Sequence, residues 1–144
     1  MDNSELLAAF EASTISRPEW THEAHVRVAW IYARREHSLD KVFGLMRSGI
    51  WRLGAAFGTG TTRYHETVTF AFAAIITDRA ARPDSLDWES FKAQNADLFD
   101  RESPILLKFY SHDVLYSDTA RAEFVPPDLQ PLPISPTPST AAAV

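Results

Sequence analysis

From Leu39 to Phe57 the side chains of Leu39, Val42, Phe43, Met46, Ile50, Leu53 and Phe57 repeat with a helical period and mark one apolar stripe. A helix with one apolar face is stable only against other elements that carry the same kind of face. The rest of the chain supplies them. Leu6, Leu7 and Phe10 predict a short first helix between Ser4 and Ala12. Ser16-Arg17-Pro18-Glu19 has the capping-box pattern, with Pro18 where its missing N–H costs nothing, and predicts a long second helix running to about Glu36. His37 and Ser38 fit its end and the cap of the third. Gly58-Thr59-Gly60-Thr61 reads as a loop before a fourth helix from about Arg63 to Arg79, with Val68, Phe72, Ile75 and Ile76 on one side. Asp87 can cap a fifth around Trp88 to Phe99, Ser103-Pro104 can start a sixth to Phe109 or Tyr110, and a last short one is expected near Asp118 to Glu123. No strand-like alternation of useful length occurs. The expected fold is all-α: a single compact bundle of about five to seven helices.

At 144 residues the chain has room for one ordinary domain. From Pro126 its character changes: prolines, then Ser, Thr and Ala, describe an extended Pro-rich strap with a tail behind it. The expected division is a helical domain over 1–133 and a disordered tail over 134–144. Phe124, Val125, Leu129 and Leu132 should lay the strap on the bundle. No run reaches the roughly 18 to 20 apolar residues of a membrane span. The acidic N-terminus lacks the features of a secretory signal, so the expected location is the cytoplasm. A net charge of −5 with scattered arginines lacks the electrostatic footprint of a nucleic-acid partner. With no cysteine, metal ligands are restricted to His, Asp and Glu.

On an ideal helix, stepping about 100° per residue, His22, His25, Val26, Ala29 and Ala33 share one face, with Glu23, Arg27 and Arg34 turned away. The same arithmetic places His65 in the apolar stripe of the fourth helix. Small Ala29 and Ala33 would leave room beside the imidazoles. Three inward imidazoles need partners for both ring nitrogens, and a shared divalent ion supplies one for each. The candidate ligands are therefore His22, His25 and His65. Glu66 is a fourth ligand, an acceptor behind a histidine, or a general base. Zinc or iron suits this donor set first, with manganese, cobalt and nickel also admitted. For any one of these histidines, a satisfied core residue is the competing reading.

Neighbouring signals fail. His22-Glu23-Ala24-His25 is one residue short of the HExxH zinc motif, and Glu19-Trp20-Thr21-His22 has no second Glu-x-x-His unit to complete a di-iron bundle. Gly58-Thr59-Gly60 lacks the Lys-Ser/Thr of a phosphate loop. His37 and His112 fit helix C-termini.

The segments WTHEAHVRVAWIYARR and YHETVTFAF, with RESPILLKFYS and FVPPDLQPLP further on, resemble a family of small bacterial α-helical proteins that carry HxxHVxxAW followed by YHET. The likeness spans most of residues 16 to 133. It implies a common site at His22, His25, His65 and Glu66, and brings no activity with it. Two functions follow as expectations. One is a mononuclear metal-dependent enzyme acting on a small organic molecule, by hydrolysis, hydration or oxygen activation, as a monomer or homodimer. The other is a non-catalytic helical binding module whose histidines are structural or contact a ligand, haem included.

Overall fold

The computed structural model describes residues 1–83 and 86–133. Among them the chain is all-helical: α1 Asn3–Glu11, α2 His22–Glu36, α3 Leu39–Phe57, α4 Glu66–Ala80 and α5 Trp88–Gln94, then 3-10 segments Ala96–Phe99 and Ile105–Lys108, and short α6 His112–Leu115 and α7 Asp118–Ala122. None of these helices is long and apolar enough to cross a membrane. The expected tail over 134–144 lies outside the described residues.

Helices α2, α3 and α4 form the centre, and α4 is buried along most of its length, with Ala71, Ala73, Ala74, Ile75 and Ile76 at most 1% exposed. Its alanines let neighbouring helix backbones come close. α1 joins α3 through Gly49, which lies directly under the Phe10 ring. Ser38 caps α3 as expected, its side chain accepting from the Lys41 amide, and His37 ends α2 in the left-handed conformation at φ 52°.

Two helix starts differ from expectation. The Ser16 and Glu19 capping box forms, with reciprocal bonds of 3.1 and 3.4 Å, but closes only a turn. Thr21 then recaps the chain on the Ala24 amide, so α2 begins at His22. α4 begins three residues later than its pattern suggests, at Glu66, with His65 as its N-cap. The expected fifth helix splits into α5 and a 3-10 segment, the sixth is only 3-10, and His112 opens α6 instead of following a helix.

The strap lies on the bundle. The buried Thr67 hydroxyl donates to the Glu123 carbonyl at 3.0 Å and accepts from the Val125 amide at 3.1 Å, and Tyr110 donates to the Val125 carbonyl at 2.8 Å. Phe124 packs on Phe70 with ring centroids 4.6 Å apart, and Leu132 is buried, whereas Leu129 stays exposed and contributes through its amide bond to the Phe109 carbonyl. Burying an aromatic and a leucine contributes about 1.5 to 3 kcal/mol each. A chain ending after Pro133 should keep its full Tm, and one ending before Phe124 should melt roughly 10 °C lower or aggregate. Equal melting temperatures by circular dichroism would show that the strap adds nothing.

Candidate functional site

The 3-10 segment Ala96–Phe99 is fixed against α4 by Arg79. Its guanidinium donates to both Asp97 oxygens, at 2.7 and 2.9 Å, and to Asn95 Oδ1 at 3.1 Å. This fork holds the Asp97 carboxyl below the usual carboxylate range. The segment so held offers the Leu98 carbonyl to the first residue of α2, and His22 Nε2 donates to it at 2.8 Å. A carbonyl can only accept, so Nε2 carries the proton; in the neutral ring Nδ1 is then an acceptor, and it has no protein partner among the described residues. Phe72 and Phe99 hold the ring edge-on, with centroids 5.4 and 6.0 Å away. His22 lies at the surface instead of facing the core, and it borders a cavity of about 350 Å³ between α4 and the C-terminal segments, walled by Val68, Phe72, Leu98, Ile105 and Leu115. Asp100 and Arg101 also line it. Asp100 Oδ1 is spent on the amides of Glu102 and Ser103, which shapes the loop, while Arg101 is exposed.

His65 does different work. Its Nδ1 accepts from the Val68 amide at 3.1 Å and its Nε2 donates to the Leu115 carbonyl at 2.7 Å, so one neutral imidazole both starts α4 and ties α6 to it. Burial holds its pKa below the ordinary value. Both nitrogens are occupied, which leaves no lone pair for a ligand. His65→Ala should therefore cost about 1 to 3 kcal/mol in urea denaturation, equally with and without chelator. His65→Asn should recover the part due to the cap. A cost that vanishes on adding chelator would mean that a metal, and not the backbone, is what His65 holds.

Glu66 Oε1 accepts from Arg47 Nε at 3.0 Å and from the Tyr64 hydroxyl. Arg47 in turn lies over Trp51, 3.9 Å from the ring centroid. The carboxylate is the centre of an ion-paired patch at the head of α4.

His25, one turn after His22, faces the other way. Its ring stacks on Trp20 at 5.2 Å and borders a separate cavity with α3 and the loop before α4. Burial, helped by the nearby charge of His22, pushes its pKa down to about 4.

The structure therefore does not bring the four expected ligands together. Among the described residues, no group of three or more His, Asp or Glu side chains is placed to hold a metal ion. An ion bound by all four would have to break the bonds of His65 to Val68 and Leu115 and pull Glu66 from Arg47. Ala29 and Ala33 are buried in the helix packing instead of leaving room beside the imidazoles. The cavity walls from Phe72, Phe99 and Leu115, the clamp of Arg79 and the role of Thr67 as strap anchor had no visible signal in the sequence beyond one arginine and three threonines on a largely apolar helix. Comparison with protein-family models, with curated proteins and with solved structures finds no match to this chain.

Proposed function

We propose that the chain is a helical small-molecule-binding protein whose ligand occupies the cavity at His22, its apolar body against Phe72 and Leu98 and a donor group on His22 Nδ1. One observation carries this reading. The bond from Nε2 to Leu98 fixes the tautomer of an imidazole at a largely apolar cavity and leaves its acceptor unused. Cavities of this size between helices are where bundles hold ligands. His65 supports the site by fixing Leu115, one of its walls.

The test is an amide NMR titration with a panel of single-ring and two-ring fragments carrying hydroxyl or amine donors. Saturable shifts are expected at Val68, Phe72, Leu98 and Leu115, weakened in His22→Gln. Absence of saturable shifts there across the panel overturns the reading. Stoichiometric binding of zinc or ferrous ion that is lost in His65→Ala would instead support a metal-dependent enzyme with His22, His25, His65 and Glu66 as ligands.

A further inference from the structure

The second cavity shares no lining residue with the first. It has a volume of about 210 Å³ and lies between α2, α3 and the loop leading to α4. This is below the roughly 300 Å³ at which drug-sized pockets begin, so its occupant is small. Its apolar part comes from Trp20, Ile50, Leu53 and Phe57. Of its polar lining, Thr59 and Tyr64 are engaged, their hydroxyls donating to the Gly54 carbonyl and to Glu66, which leaves two side chains to consider.

The first is His25. Phe10, Trp20 and His25 form a continuous stack, with centroid spacings of 5.1 and 5.2 Å and interplanar angles of 19° and 21°. Stacking fixes the imidazole plane and satisfies neither nitrogen. No hydrogen bond reaches either nitrogen among the described residues. A neutral imidazole so placed offers one donor and one acceptor to whatever enters.

The second is Arg63, exposed at the rim, with no ion-pair or hydrogen-bond partner among the described residues. The neighbouring Arg17 is by contrast engaged, donating to the Phe57 carbonyl at 3.0 Å with its guanidinium 5.4 Å from that ring. One cation at this mouth is free for an anion.

We propose that this cavity binds a single-ring aromatic carboxylate with a polar group opposite the acid, the ring lying between Trp20, Leu53 and Phe57, the carboxylate on Arg63 and the distal hydroxyl on His25. Apolar walls select the ring, the guanidinium selects the acid, and the imidazole selects a group that can donate a hydrogen bond. Calorimetry at pH 7 with 4-hydroxybenzoate, benzoate and phenol tests each element separately, and amide NMR locates the site. The expected order of affinity is 4-hydroxybenzoate first, with benzoate and phenol each about tenfold weaker, since each lacks one polar contact. Shifts should centre on Trp20, His25 and Gly60. Arg63→Gln, at an exposed position, should bring 4-hydroxybenzoate down to the level of phenol, and His25→Leu to the level of benzoate. Equal affinities for the three probes, no saturable binding by any of them, or binding that only shifts Phe72 and Leu98 would overturn the proposal. That last outcome would leave the His22 cavity standing as a site.

Discussion

Replacing Gly54 by alanine is expected to lower the Tm by roughly 10 °C, the largest effect among the three glycines of α3. A Cβ at Gly54 would stand 2.0 Å from the Gly60 carbonyl oxygen and 3.1 Å from its carbon. The obstacle is backbone and cannot rotate aside. The Gly54 carbonyl accepts the amides of Thr59 at 2.9 Å and Gly60 at 3.0 Å, and Gly58 and Gly60 make the reversal at φ values of 78° and 57°. A methyl group would push the loop off the helix and break these bonds together. Overpacking costs about 1 to 3 kcal/mol even where side chains can yield, and a lost buried hydrogen bond about 1 kcal/mol more. With both bonds lost the cost is about 3 to 5 kcal/mol, which at about 2 to 4 °C per kcal/mol is roughly 6 to 20 °C. Gly49→Ala should also be costly, because its Cβ would meet the buried Phe10 ring at 2.1 Å and disturb the stack that carries His25. Gly44 is the control on the same helix: nothing lies within 4 Å of its Cβ, so Gly44→Ala should raise stability by about 0.5 to 1 kcal/mol. Thermal melts of the three variants check the ranking, and a Gly54→Ala protein that melts with the parent would refute the close approach.

The same loop shows where the sequence could be read and where it could not. α3 was legible at both ends, because Ser38, the apolar stripe and Gly58 are local signals that agree with one another. α2 was not legible at its start, since Ser16 and Thr21 are both competent caps and the chain uses both in succession. His65 was misplaced for a related reason. Histidine is outside the usual set of cap residues, so a periodic reading runs the helix through it, and the wheel then turns it into the stripe. His22 and His25 do sit on neighbouring turns of one helix end. What separates them is their long-range partners: Leu98 lies 76 residues from His22, and the loop at Gly60 closes beside His25. Local periodicity carries no record of such partners. The all-helical fold was therefore readable, and the separation of the histidines was not.

Stability should fall by about 3 kcal/mol as pH is lowered from about 6.5 to about 4, with His25 as the main cause. In the folded chain burial pushes the His25 pKa down to about 4, so the native state keeps this imidazole neutral where the unfolded chain has already bound a proton. The sign follows directly. Above the unfolded value of about 6.5 the ring is neutral in both states and costs nothing, and stability is lost as pH falls from there through the folded pKa. The nearby His22 on the same helix adds to this effect of burial. The native neutrality of His65 acts in the same direction, because a protonated Nδ1 could no longer accept from the Val68 amide. The carboxylates held low by their partners, Asp97 on Arg79 and Asp128 on the Ser111 amide, act only as pH falls below about 4, the usual carboxylate value, which leaves the upper part of the window to the histidines. Urea denaturation at pH 7, 6, 5 and 4.5 should show the midpoint falling steadily in the parent and much less in His25→Phe, whose ring can keep the stack on Trp20. A parent midpoint that is flat over this range, or a slope that survives in His25→Phe, would mean that His25 takes up its proton as readily folded as unfolded, and that its place beside Trp20 is wetter than the packing implies.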